Sequence, residues 1–360
     1  MKKTDQIKII KEKASAILGK VGVLTQMEGE RKTPGPRSRS GSRMPDAEFW
    51  IRTPSQERYR LLFEVAPIGQ PRDIRRTALD VRNMIDANAN EYGIIVAPVI
   101  SEESALICRE MEVGFLDLAG NCEFRFDGIF IQIAGQQAIP KVQRPFRDLF
   151  APRTSRIPRM LLLFPKREWT VAELAQESKV STGLVSSVKR RLLQQEIIME
   201  IEGTRGPRFR LATPKKLLDL WSKSYAYKRN PMRSFYAPLE VPELEDRLSD
   251  ACRAQGLRFA LALTSGAARV SPFLRYNRIF AYVEDLPGAI VQQLGWKEVP
   301  SGANVTILAP YDEGVFYGLQ EIDGFPVVSN LQLYLDLQSY PERGEEAAKA
   351  ILENCLMRQW

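Results

Sequence analysis

Apolar positions at Ile7, Ile10, Ala14 and Ile17 recur every three or four residues through TDQIKIIKEKASAILGK, which predicts one amphipathic helix over residues 4–20. The pattern then breaks. Glu28–Arg43 (EGERKTPGPRSRSGSR) is rich in Pro, Gly, Ser and Arg, cannot bury a core, and reads as a flexible basic linker. From Glu48 the period changes to that of an α/β chain. FWI and RLLFEVA predict two strands around the turn TPSQER, and DIRRTALDVRNMIDANA predicts an amphipathic helix. YGIIVAPVI is a nearly continuous apolar run of the kind buried inside a sheet. SEESALICREM is helical with Ser101 as N-cap, VGFLDLAGN ends in a turn, and CEFRF with IFIQIAG form a hairpin around Asp127-Gly128. Strands and helices in this order imply a mixed sheet with helices against it. PKVQRPFRDLFAPR, with its prolines and basic residues, reads as a second linker.

The last third repeats the α/β theme. VPELEDRLSDACRAQG predicts a helix, LRFALAL a strand and TSGAARVSPF a short helix. RIFAYV and NVTILAP are further strands, QEIDGFPVV is a hairpin with an Asp-Gly turn, and LQLYLDL and GEEAAKAILENCLMRQ are closing helices. Ser329 and Asp336 are expected to cap or hydrogen-bond locally, and Arg269, Arg275 and Arg278 with Tyr276 suggest a basic-aromatic face or a solvated one.

Between the two α/β patterns the spacing is different in kind. Thr170 is an N-cap for VAELAQES, and Glu173 three residues on completes a capping box. Val180 breaks into Ser181, the N-cap of a second helix running to about Gln194. Val171, Leu174, Ala175, Val180, Val185, Val188 and Leu192 give the apolar seam that two helices crossing at a short turn require. EIIMEIE, GTRGP and RFRLA then read as a two-stranded wing. Helix pair and wing together predict a winged helix-turn-helix over 155–213, with helix 181–194 in the major groove of double-stranded DNA and wing 197–211 on its backbone. The candidate contacts are Ser181, Thr182, Ser186 and Ser187, whose small hydroxyls allow close approach to base edges, and Lys189, Arg190, Arg191, Arg205, Arg208 and Arg210 for phosphates.

Charge sharpens this reading. Net charge is +7, but Lys141 to Arg233 hold 21 Lys and Arg against 8 Asp and Glu, so the rest of the chain is net acidic and the positive charge collects on the motif. The chain has no histidine, which removes Ser-His-Asp and Cys-His pairs, imidazole acid-base catalysis and histidine metal sites. Cys108, Cys122, Cys252 and Cys355 are scattered without CxxC spacing, as expected of buried hydrophobes in a reducing compartment. No apolar run reaches the eighteen or so residues of a membrane span, and MKKTDQIKII opens no signal peptide, so a cytoplasmic protein without membrane contact is expected. No cofactor and no metal are expected either.

The chain also bears two family resemblances. Pro45-Asp46 before the first strand and Glu64-Val65-Ala66 at the end of the second resemble the restriction-endonuclease-like, PD-(D/E)xK, fold. In an active member two carboxylates hold a metal and the lysine positions water, but Ala66 stands at the lysine position here. Asp46 and Glu64 are therefore vestigial candidates, and a metal-dependent nuclease with a winged-helix targeting domain is the alternative to a regulator. LDLAGN (Leu116–Asn121), the winged helix, and the stretches Thr264–Val283 and Val327–Ala348 resemble the AbiEi-type antitoxin family of transcriptional regulators from type IV toxin–antitoxin systems. That resemblance implies promoter binding with autorepression and a nucleotidyltransferase toxin as partner, and it leaves a homodimer open. The expected organisation is an N-terminal helix (1–27), a basic linker (28–45), a degenerate nuclease-like α/β domain (46–140), a linker (141–154), the winged helix (155–213) and a C-terminal α/β antitoxin-like domain (214–360). The fold class is thus multidomain α/β, and the chain is read as a regulator and not an enzyme.

Overall fold

The computed structural model describes residues 12–19, 44–53, 55–86, 88–136, 149–202, 206–271, 276–341 and 343–360. The basic linker, Arg205 and Arg275 lie outside the described residues, as does the first half of the helix expected at 4–20. The chain forms two compact units, residues 1–144 with 194–196, and residues 145–193 with 197–360. The segments expected as winged helix and C-terminal domain thus fall in one unit.

The first unit is a six-stranded sheet in ladder order, β1 (Ala47–Arg52), β2 (Arg58–Val65), β3 (Glu91–Ala97), β4 (Gly114–Asp117), β5 (Cys122–Phe126) and β6 (Ile129–Ile133). β2, β3 and β4 run parallel, and the flanking pairs are antiparallel. Parallel neighbours need crossovers, which helices α2 (Pro71–Arg82) and α3 (Glu102–Glu110) provide. Side chains alternate in β2, so Leu61, Phe63 and Val65 pack with Ala14, Ile17 and Leu18 of the short helix α1 (residues 12–19), while Ala66 packs with Ile74 and Ala78 of α2. A Cβ on Gly93 would stand 2.0 Å from a Val81 methyl, so only glycine lets α2 lie this close on β3. Ser101 caps α3 by accepting the Ser104 amide, as expected. The β5–β6 turn puts Asp127 and Gly128 at φ +46° and +70°, the left-handed pair a tight hairpin requires.

The second unit begins with helices α4 (Arg156–Leu163), α5 (Val171–Glu177) and α6 (Thr182–Gln194) and the hairpin β7 (Ile198–Ile201) and β8 (Arg208–Leu211). Helix α7 (Pro214–Ser222), strand β9 (Met232–Tyr236), helix α8 (Val241–Ala254), strand β10 (Phe259–Leu261), helix α9 (Leu263–Val270) and strand β11 (Ile279–Val283) follow. After them come α10 (Gly288–Gln293), β12 (Lys297–Glu298), β13 (Val305–Leu308), β14 (Gln320–Ile322), β15 (Phe325–Val327), α11 (Asn330–Gln338) and α12 (Gly344–Ile351). The mixed seven-stranded sheet runs β12-β9-β13-β11-β10-β15-β14, with α9, α11 and α12 packed on one another. One apolar core joins helical module and sheet, because α4 buries Ile157, Pro158, Met160, Leu161 and Leu162 against α5, α7, α11 and β8. Leu149 and Phe150, read from sequence as linker, also enter it, with Phe150 stacked on Trp221.

That core holds a polar network. Asp336 of α11 is fully buried, and its Oδ1 accepts from the Tyr225 and Tyr282 hydroxyls (2.7 and 3.0 Å) and from Gln332 Nε2 (2.8 Å). The expected local hydrogen bond is present, from Gln332 one turn earlier on α11, but Asp336 caps nothing and draws its other two donors, Tyr225 and Tyr282, from other elements, as a buried carboxylate must. Ser329 does cap, accepting the Gln332 amide. Gln332 Oε1 in turn accepts from the buried Arg159 guanidinium of α4 at 2.7 Å. The expected solvated or basic-aromatic face is corrected as well. Arg269 and Tyr276 both donate to the buried Glu245 of α8, at 2.6 and 2.8 Å, and Arg278 donates to the Ala303 carbonyl. A buried carboxylate draws these donors inward.

Burial pushes the Asp336 carboxyl from 3.8 up to about 7, although Tyr225, Tyr282, Gln332 and Arg159 favour its ionised form. A carboxyl raised in the folded state favours folding where it is protonated. This contribution is full below about 3.8 and is lost as pH rises toward 7. Asp336→Asn keeps an acceptor for the three donors and removes the charge. The variant should show a flatter stability profile between pH 4 and 7 in urea unfolding, while its amide N–H groups, taking the place of the unpartnered Oδ2, offset part of the gain at pH 8. Parallel profiles for the two proteins would exclude Asp336 as the titrating group.

Candidate nucleic-acid interface

Sequence-local devices build the helix pair. Thr170 Oγ1 accepts the Glu173 amide at 3.2 Å while Glu173 Oε2 accepts the Thr170 amide at 2.8 Å, the capping box read from the sequence. At the other end of α5, Lys179 takes φ +52°, and the amides of Val180 and Lys179 return to the carbonyls of Ala175 and Gln176. This paired closure stops the helix and turns the chain sharply. Ser181 Oγ then accepts the Leu184 amide at 3.3 Å to start α6. Leu174, Ala175, Val185, Val188 and Leu192 are buried between the helices, with Val171 and Val180 partly so. The β7–β8 hairpin is tied to the start of α5, since Trp169 and Phe209 exchange both backbone hydrogen bonds, at 2.8 and 3.0 Å.

This packing leaves one side of α6 open. Ser181, Thr182, Gly183, Ser186 and Arg190 are exposed, and Ser187 and Arg191 are half-buried. A Cβ on Gly183 would meet nothing within 4 Å. Among the described residues, Arg190, Arg191 and the exposed Arg210 of β8 have no carboxylate partner. Two of the other predicted cations are engaged inside the protein. Lys189 Nζ lies 3.0 Å from Glu200 of β7 and 5.2 Å above the Phe209 ring. Arg208 donates to Glu173 at 3.1 Å and to the Glu168 carbonyl at 3.1 Å. The Thr170 amide, and beyond it Arg208, hold the Glu173 carboxyl below the usual carboxylate range. Sequence reading identified Glu173 as a capping residue but missed its second role as the seat of Arg208. It also missed Glu200, because a strand carboxylate eleven residues from Lys189 has no local spacing signal.

The nuclease-like pair is also brought together. Asp46 Oδ2 accepts the Val65 amide at 3.0 Å, and Glu64 Oε2 accepts the Asp46 amide at 3.3 Å, a reciprocal clasp across the β1–β2 hairpin. Glu64 is 2% exposed, and Ala66 is fully buried under α2. A lysine at Ala66 would have to bury its ammonium in that apolar layer. Among the described residues no three His, Cys, Asp or Glu side chains come together to hold a metal ion. Burial pushes the Cys108 thiol up to about 12 and those of Cys122 and Cys252 to about 11, so these thiols stay protonated and unreactive.

Residues 210–357 match the model of a family described as transcriptional regulators, AbiEi antitoxins of type IV toxin–antitoxin systems. Over that stretch, about two fifths of the chain, the protein is similar to AbiEi-type antitoxins. The AbiEi-type segment starts within β8 and includes the whole seven-stranded sheet with α7 to α12. Its family is regulatory in description, which agrees with the coarse reading of a regulator. Nothing among the curated proteins or the solved structures matches the chain. No helix among the described residues is long and apolar enough to cross a membrane.

Proposed function

We propose that α4 to α6 with the β7–β8 hairpin form a winged helix-turn-helix, and that the protein is a sequence-specific, DNA-binding AbiEi-type antitoxin that represses its own promoter and antagonises a nucleotidyltransferase toxin. In this reading α6 enters the major groove with Ser181, Thr182 and Ser186 near base edges, and the hairpin lies along the backbone. Arg190, Arg191 and Arg210 neutralise phosphates. Lys189 and Arg208, paired with Glu200 and Glu173, instead hold the hairpin against the helices. The observation that carries the proposal is the open side of α6, small and hydroxyl-bearing, beside three arginines without carboxylate partners among the described residues. The N-terminal sheet, with Asp46 and Glu64 clasped and alanine in place of lysine, fits a restriction-endonuclease-like scaffold without its chemistry.

The test is binding to a duplex from the protein's own upstream region and to a random duplex, at several salt concentrations. Arg190→Ala and Arg210→Ala should each weaken both complexes alike and lower the salt slope by ~1 for every phosphate no longer neutralised. Arg208→Ala should leave the slope nearly unchanged. Unchanged slopes in the first two variants would take this face out of the interface.

A further inference from the structure

The turn Glu313–Phe316 belongs to the C-terminal α/β layer, yet its acidic residues reach the helical module. The Asp312 side chain is 4% exposed and accepts from Arg156 Nε and Nη2 of α4 (2.8 and 2.7 Å to its two oxygens), from the Arg153 amide (3.1 Å) and from the Gly314 amide (2.8 Å). Glu313 Oε1 collects Arg156 Nη1 at 2.8 Å, the Tyr317 hydroxyl at 3.1 Å and Lys179 Nζ at 3.7 Å. Lys179 is the left-handed residue that reverses the chain between α5 and α6. One carboxylate from the AbiEi-type segment therefore touches both the first helix of the module and the turn that aims its last helix.

We propose that Glu313 is a latch on the reading helix: by bridging Arg156 and Lys179 it ties the direction of α6 to the C-terminal layer, so that a disturbance at this turn changes DNA affinity. The consequence for DNA rests on the function proposed above, whereas the mechanical tie does not. The bridge has a physical basis for signalling. A partly exposed ion pair is weak on its own, but here three donors share one acceptor, so displacing Glu313 frees the Lys179 turn and one arm of Arg156 together, while Asp312 and the apolar core keep α4 in place. A competing explanation for Lys179 is that it touches phosphate directly, since it is mostly exposed and lies at the mouth of the module. The two explanations differ in additivity, because an interaction shared by two residues can be broken only once.

The experiment uses the full chain and a cycle of Glu313→Gln, Lys179→Met and the double variant, with amide hydrogen exchange of residues 179–185 and affinity for the upstream duplex as separate readouts. Glu313→Gln stays close to the native shape, and circular dichroism confirms the fold of all three. The latch predicts about three-fold faster exchange in each single variant and no further gain in the double, with duplex affinity following the same non-additive pattern. Unchanged exchange, or exchange effects that multiply, would overturn the latch. Multiplied affinity losses with unchanged exchange would make Lys179 a phosphate contact instead. A wild-type protein that binds no duplex while its exchange responds non-additively would support the latch and remove the DNA-reading function.

Discussion

Replacing Arg156 by alanine is expected to lower the unfolding free energy by about 3–5 kcal/mol, the usual consequence of stripping one partner from a buried ion pair. Asp312 would keep only the Gly314 and Arg153 amides as donors. Burial by itself raises the Asp312 carboxyl, yet Arg156 and the two amides together hold it below its ordinary 3.8. A carboxyl lowered in this way stabilises the fold above its unfolded value, and the contribution is lost as pH falls through the folded value. The gap between wild type and Arg156→Ala should therefore be full at pH 7 and narrow in strong acid. Urea unfolding followed by tryptophan fluorescence measures both points, since Trp169 and Trp221 lie in the same core. Arg156→Lys should recover only part of the loss, because an ammonium cannot reproduce the two-pronged contact with Asp312. A loss below about 1 kcal/mol at pH 7 would place the pair among ordinary surface contacts.

Ser186→Glu should abolish measurable binding to the upstream duplex, a loss of at least about a hundred-fold, while leaving the melting temperature within a few degrees of wild type. Ser186 is exposed on α6 and takes no part in the buried seam. In the proposed complex a carboxylate there would enter the groove between the phosphate backbones, and like charges so placed cost several kcal/mol. Ser186→Ala is the control and should cost little more than one hydrogen bond. Competition binding with both variants, beside thermal melts, separates a damaged interface from a damaged fold. A folded Ser186→Glu protein that retained its affinity would show that α6 is not the reading helix.

Much of this architecture was legible from periodicity because many elements are amphipathic or sharply punctuated. The capping box at Thr170 and Glu173, the N-caps Ser101 and Ser329, and the Asp-Gly turns at Asp127 and Asp323 all stand where local chemistry puts them. What escaped had no local signature. Helix α4 is only eight residues long, holds Pro158 in its first turn and buries six of its residues, Arg159 among them, so RIPRMLLL reads as a short apolar run and not as a helix. Helix α7, which opens on Pro214, and strand β9, which follows Pro231, were not read from the sequence, since each proline sits beside the apolar run and reads as a break. At the candidate interface the exposed hydroxyls and glycine of α6 followed from helix geometry, but the division of cations did not. Which cations face solvent depends on Glu173, Glu200 and Glu313, which hold Arg208, Lys189 and Arg156 and whose positions are fixed by tertiary packing.

The burial of α4 on both sides also bears on how the protein is turned over. A helix with six of eight residues buried cannot detach from α7 and α11 without exposing Ile157, Met160, Leu161 and Leu162 to water. Residues 155–213 excised alone would be stripped of that cover and present an apolar face open to aggregation or digestion. A protease cut that loosened α7 or α11 would uncover α4, and with it the helical module, without touching either. Opening of the described unit should then be close to all-or-none, and its lifetime under proteolysis set by the global unfolding equilibrium.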